Sequence, residues 1–154
     1  MRTLSGRVSE KELAESVVVS ETEIEAEQGS VLQPDITKPL LIYLASPYRA
    51  ETDFGVLQNI NNASKIASEL WGIGHYCFCP VMNSAMMHRT SHASAEHFLE
   101  GDLVMLSKCD GIVMSPDWET SEGAKGEYAY AQEKGMLTWI WPSVPPPPEN
   151  VSGD

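Results

Sequence analysis

Short apolar runs that alternate with segments of helical spacing predict an α/β fold: a single doubly wound, mostly parallel sheet of four or five strands in the order 2-1-3-4-5, with helices on both faces. Three observations carry this expectation. Leu40–Ala45 and Gly111–Met114 are continuously apolar, as strands covered on both faces are. Val56, Ile60, Ala63, Ala67 and Leu70 recur at helical spacing between the first of these runs and a second short one, His75–Cys79. The links between the elements are short and rich in Gly, Pro and Ser, which end helices and strands rather than extend them.

Taken in order, residues 1–38 are rich in Glu and Ser and show no sustained period, which reads as an acidic, mobile arm. A single domain follows over residues 39–142. Its first strand, Leu40–Ala45, runs into Ser46-Pro47-Tyr48-Arg49, a hydroxyl, a turn-setting proline and a cation at the strand's carboxyl end. The helix from Val56 stops at Gly72 and Gly74, and the strand His75–Cys79 is closed by Pro80, completing a β-α-β unit. Val81–His92 reads as an irregular, Met-containing loop, and Asn83 within it is a candidate contact to the variable part of a ligand; packing is the plainer alternative.

A helix over about Ser94–Ser107 carries the apolar stripe Phe98, Leu99, Leu103 and Leu106. Asp102 lies four residues from both Phe98 and Leu106, which puts an acid on or beside the buried face. A carboxylate there either caps a neighbouring loop or belongs to a site, because burial without a partner is costly. After the third strand, Gly111–Met114, comes Ser115–Ala131, and Gly135–Trp141 supplies a fourth strand. Trp139 and Trp141 fit either core or interface. Pro142 ends that strand, and residues 143–154 read as a stiff, Pro-rich tail.

Ser115–Ala131 is the most informative stretch. Ser121 suits a helix N-cap, Glu122 complements the positive end of the helix dipole, and Gly123 and Ala124 let backbone N–H groups approach an anion. Glu127 lies about one and a half turns into the helix, and helical side chains lean towards the N-terminus, so its carboxylate points back at the same loop. A capped surface helix with a solvated glutamate fits the spacing as well. In the expected strand order the topology reverses between the first and third strands, and ligands of such sheets bind outside the carboxyl ends at that point. Ser46–Arg49 and Ser115–Glu122 both leave strands there, and Tyr43 lies below them.

Composition narrows the ligand. The chain has 154 residues and is 42% hydrophobic, enough for one full core. Its formal net charge is −12, from 22 acidic and 10 basic residues, which leaves no cationic surface to track a nucleic acid. A small anion would have to be held by local amides and an arginine. Cys77, Cys79 and Cys109 are an odd number of cysteines among apolar neighbours, and no run spans a membrane, so the expectation is a reduced, cytoplasmic protein with neither a membrane nor a nucleic acid as partner. His75, Cys77 and Cys79, or His88, His92 and His97, offer metal ligands, but no second pair has zinc-like spacing, and no metal is expected.

Tyr43-Leu44-Ala45-Ser46-Pro47-Tyr48, Gly101-Asp102-Leu103, Lys108-Cys109-Asp110-Gly111 and the Trp118-x-x-Ser121-x-Gly123-Ala124-x-x-Glu127 segment together resemble the nucleoside 2-deoxyribosyltransferase superfamily. The likeness runs from about Leu40 to Trp141 and is nearest to small, often phage-encoded branches and to nucleoside 5′-monophosphate N-glycosidases. It implies that Glu127 is a nucleophile, that Asp102 assists the chemistry, and that the Tyr43 hydroxyl lies near the reacting sugar. It further implies that Ser46, Ser121 and Gly123 hold a 5′-phosphate, with Arg49 one position from an arginine of that pattern and Trp118 in the substrate-binding segment.

The expected activity is hydrolysis of the base–sugar bond of a nucleoside 5′-monophosphate, without a cofactor. Transfer of the sugar to another base is the first alternative, and non-catalytic binding of a nucleotide the second. The resemblance implies a homodimer or larger homo-oligomer acting on a small-molecule nucleotide or nucleoside.

Overall fold

The computed structural model describes residues 36–149; residues 1–35, which make up most of the expected acidic arm, and residues 150–154 lie outside this range. Among the described residues, four parallel strands form one sheet in the order β2-β1-β3-β4. They are β1 (Leu41–Ala45), β2 (Tyr76–Phe78), β3 (Gly111–Met114) and β4 (Leu137–Ile140). This is the predicted doubly wound topology, with four strands. The central pair is in the register Leu44↔Val113 and Ala45↔Met114, so both strands end at the same level.

Alternation along the strands builds two cores. Ile42, Leu44 and Val113 face α1 (Asp53–Gly72) and pack with Ala63, Ile66, Ala67 and Leu70. Tyr43, Ala45, Ile112 and Met114 face the other way, towards Leu106, Ala124 and Ala131 of α3 (Ala95–Leu106) and α4 (Glu122–Glu133). Successive residues of a strand point to opposite faces, so Tyr43 is committed to the α3/α4 side by the burial of its neighbours. Gly111 is required where it stands: a Cβ there would lie 2.8 Å from the Trp139 ring and 2.9 Å from the Leu137 carbonyl. The turn after α1 uses Gly74 at a φ of 104°, a conformation that other residues rarely adopt.

Each long helix starts on a hydroxyl cap. Thr52 Oγ1 accepts from Gly55 N–H at 3.0 Å, Ser94 Oγ from His97 N–H at 3.1 Å, and Ser121 Oγ from Ala124 N–H at 3.2 Å.

Several elements differ from the expectations. The stretch expected to be an irregular loop holds a short helix, α2 (Pro80–Asn83), started by Pro80 at its first turn, and a 3-10 turn at Met87–Arg89. On α3 only Leu106 of the expected stripe is fully buried; Phe98 and Leu103 are half-buried and Leu99 is exposed. His75, expected as the first residue of the second strand, lies just before β2 and is 1% exposed. Its Nδ1 accepts from Leu40 N–H at 3.0 Å and its Nε2–H donates to the Pro146 carbonyl at 2.7 Å. The Pro-rich segment through Glu149 therefore folds back on the domain instead of leaving it. Pro145 is fully buried, and Glu149 N–H donates to the Ile36 carbonyl at 3.1 Å.

Candidate active-site crevice

The loops that leave β1 and β3 open a cavity of about 630 Å³ at the carboxyl ends of these two central strands. Its walls are the Ser46–Arg49 loop, the start of α2, one face of α3 at Leu99 and Asp102, and the N-terminal turns of α4 from Ser121 to Glu127. The structure therefore brings together Ser46, Arg49, Asp102, Ser121, Gly123 and Glu127 of the residues singled out in the sequence. Tyr43, 0% exposed, lies beneath them in β1.

Three buried polar atoms among the described residues have no hydrogen-bond partner: Tyr43 Oη, Ser46 Oγ and Glu127 Oε2. Ser46 and Glu127 line this one cavity, and Tyr43 lies against Glu127. An unpartnered buried polar group costs roughly 1–3 kcal/mol, so three at one place mark a site where folding stability gives way to something else. The Tyr43 hydroxyl is close enough to Glu127 to favour its ionised form, yet the pair lacks regular hydrogen-bond geometry.

Burial is the main force on the acids. Glu127 is 7% exposed, and loss of solvent, reinforced by the Asp102 charge, pushes its carboxyl up to about 8. Asp102, half-buried on α3, is pushed up by desolvation to about 6. Tyr43 is driven far above its ordinary value by burial first and then by the two carboxylates, so it remains a neutral O–H donor. Near neutral pH the two carboxyls together hold about one proton, and the proton belongs to the pair rather than to either residue.

Other residues of the cavity wall have a different character. Glu122 and Gly123 occupy the first turn of α4, where backbone N–H groups have no helical partner. Ser121 Oγ accepts the Ala124 N–H, which leaves its own hydrogen free to donate. Arg49 is the one cation lining the cavity, against the carboxyls of Asp102, Asp117, Glu122 and Glu127. Two of these four are engaged: Lys125 Nζ pairs with Glu122 at 3.2 Å, and Ser115 O–H donates to Asp117 Oδ1 at 2.9 Å.

Two connections hold the walls in place. Asn59 of α1 donates to the Tyr48 carbonyl at 3.0 Å and to the Arg49 carbonyl at 3.4 Å. The Tyr48 hydroxyl accepts from Met86 N–H at 2.9 Å and is hydrogen-bonded to His88 Nδ1 at 2.8 Å, which fastens the loop after β2 to the loop after β1. Met86 adopts a φ of 61° to make this contact, and an Arg89–Asp53 ion pair supports it.

Asn83 and Trp118 lie elsewhere. Asn83 sits at the end of α2 and lines a separate shallow depression with Ser64, Trp71 and Cys77, because the helical turn at Pro80–Asn83 rotates it away and presents Ser84 to the crevice instead. Trp118 stacks on Tyr128 with ring centroids 4.5 Å apart and packs on the α4-side core. Sequence reasoning missed Asn59 as a wall residue; Ser84, Asp117 and Thr120 lie in the two loops expected at the ligand but were not singled out. Asn59 did leave a signal: it falls three residues after Val56 and four before Ala63, on the buried stripe of α1. Among the described residues no cluster of three or more His, Cys, Asp or Glu is placed to share a metal. The three cysteines are free thiols whose ionisation burial pushes up. No helix of the described residues is long and apolar enough to cross a membrane.

The family model described as a domain of unknown function (DUF4406) matches residues 41–139. No curated protein matches the chain. Solved structures similar to the chain include two transferases. A "2-desoxiribosyltransferase from Leishmania mexicana" shares 20% identity over 66% of this chain and 63% of its own, with a TM-score of 0.49. A 2-deoxyribosyltransferase from the psychrotolerant bacterium Bacillus psychrosaccharolyticus shares 19% identity over 73% of this chain and 77% of its own, with a TM-score of 0.47. The chain thus spans less than two thirds of the length of the first of these.

Proposed function

The chain belongs to the DUF4406 family of domains of unknown function, and from the groups of its crevice we propose that it cleaves the base–sugar bond of a nucleoside 5′-monophosphate with Glu127 as nucleophile. The observation that carries this reading is the pair of acids, Glu127 and Asp102, on one cavity, with the neutral Tyr43 hydroxyl against Glu127. A site built only to hold an anion gains nothing from two carboxyls whose ionisation burial already opposes.

The reactive form is the singly protonated pair with its proton on Asp102. Glu127 attacks C1′ of the sugar, the C1′–N bond breaks, and its electron pair leaves on the base, which takes the Asp102 proton. The passage is oxocarbenium-like, and the ionised Glu127 stabilises the developing positive charge before it bonds to it. Once Glu127 is ionised, the Tyr43 O–H, which has no partner in the free site, turns to donate to it and steers which of its oxygens attacks. Asp102, now ionised, takes a proton from a water that attacks C1′, the ester to Glu127 breaks, and the free sugar phosphate leaves. Transfer to a second base shares the first half of this sequence.

Support for the 5′-phosphate comes from the first-turn N–H groups of α4, the Ser121 hydroxyl, the orphan Ser46 hydroxyl and Arg49, which line the same cavity as the two acids. The test is incubation of the purified protein with a panel of ribo- and deoxyribonucleosides and their 5′-monophosphates, with chromatographic detection of free base and Glu127→Ala in parallel. Base release from the monophosphates that requires Glu127 is the expected result. Release from nucleosides alone overturns the phosphate, and no release from any member, with or without an acceptor base, overturns the catalysis.

A further inference from the structure

A second cavity, of about 250 Å³, adjoins the first on the α1 side of the sheet. The two share Ser46, Pro47, Asn59 and Asp117, so they meet at the loops that leave β1 and β3. Beyond the shared residues the second cavity is lined by Asn62, Ala63, Ile66, Ser115, Pro116 and Trp141, with no cation. Carboxamides and hydroxyls beside an indole and two prolines suit an uncharged ring that carries hydrogen-bonding groups. Ser46 lies at the junction, 8% exposed, and its Oγ has no partner.

Along the segment that leaves β3 the chemistry changes in chain order: Ser115–Asp117 line the second cavity, Ser121–Gly123 bring the first-turn N–H groups of α4 to the first, and Glu127 brings its carboxyl a turn further on. The first cavity carries one guanidinium, Arg49, and the carboxyls of Asp117 and Glu122 line it too, in a chain of net charge −12. A terminal phosphate carries close to two negative charges at neutral pH. A phosphodiester carries one, which the single Arg49 balances. We propose that the preferred substrate carries, on the 5′-oxygen of the nucleoside being cleaved, a phosphodiester to a second nucleoside, the free monophosphate being the weaker substrate, and that this second nucleoside occupies the cavity between Asn59, Asn62 and Trp141. The proposal rests on Glu127 as the reacting carboxylate, which places the scissile bond in the first cavity.

Calorimetric titration of Glu127→Gln separates charge from ring binding with three probes in an adenosine and a thymidine series. The probes are the 5′-monophosphate, its methyl ester, and the 3′→5′ dinucleoside monophosphate. The dinucleoside monophosphate of at least one series is expected to bind about tenfold tighter than the methyl ester or better, and Asn62→Trp, which fills the second cavity from an exposed helix position, brings that ratio close to one. A dinucleoside monophosphate that binds no tighter than the methyl ester in either series overturns the dinucleotide and leaves the glycosidase reading standing. The same holds for a ratio that Asn62→Trp does not change. Absence of binding by all three probes in both series overturns the two together.

Discussion

Asp102 and Glu127 line one cavity from two successive long helices, and the charge of the first adds to burial in holding the proton on the second. One proton shared by two acids gives a bell-shaped dependence of kcat/KM on pH, with limbs near 6 and 8 where the pair gains its second proton and loses its first. Asp102→Asn removes the alkaline limb, because no general acid is left whose deprotonation stops the reaction, leaves the rise that follows ionisation of Glu127, and lowers kcat/KM by about 10²-fold or more. Rates measured across pH 5–9 for both proteins check this.

Glu127 also ties stability to pH. Its proton is held more tightly in the folded chain than in the unfolded one, the carboxyl being raised from 4.5 to about 8. Ionisation therefore removes stability progressively as pH rises above about 4.5, and the loss is complete above about 8. Glu127→Gln is neutral at all pH values. It is expected to match the wild type in stability near pH 4 and to exceed it at pH 9 by an amount of order 1–4 kcal/mol, seen as a higher melting temperature. Thermal melts at the two pH values give the comparison.

Tyr48 joins the two loops at the mouth of the crevice through Met86 and His88. Tyr48→Phe breaks both bonds at a cost of about 0.5–1.5 kcal/mol each. The chemistry lies deeper, at Glu127, so KM is expected to rise several-fold while kcat changes little. Steady-state kinetics on the substrate found in the base-release panel resolves the two constants.

Ser46 separates binding from folding. Its buried hydroxyl has no partner, so Ser46→Ala removes no bond from the folded protein and is expected to leave the melting temperature unchanged or slightly higher. Substrate affinity falls, because the hydroxyl faces the crevice. Asn59→Leu contrasts with it: the Tyr48 and Arg49 carbonyls lose their donor, and stability falls by about 1–3 kcal/mol together with affinity. Melts and titrations of the two variants side by side distinguish the roles.

The strand order and the meeting of the 46–49 and 115–122 loops were legible in the sequence because they follow from continuous apolar runs, helical spacing and chain punctuation. Asp102 and Glu127 were legible for a related reason. Each falls at a helical position whose direction is set by its neighbours, Phe98 and Leu106 for the first and the Ser121 cap for the second. The loop after β2 was not, because its course depends on a left-handed Met86 and a Tyr48 hydroxyl about forty residues away, neither of which leaves a local pattern. The Pro-rich segment was misleading for the same reason: composition suggests an extended tail, and the buried His75 bond that folds it back joins residues 71 positions apart.

The central claim is that Glu127 does the chemistry and is not needed to hold the ligand. Single-turnover base release with enzyme in excess, paired with calorimetric binding of the same nucleotide, tests it in wild type and Glu127→Gln. Wild type is expected to release the base, and the variant to bind the nucleotide within a few-fold of wild type while releasing base at least about 10³-fold more slowly. Equal release by the two proteins would contradict the account.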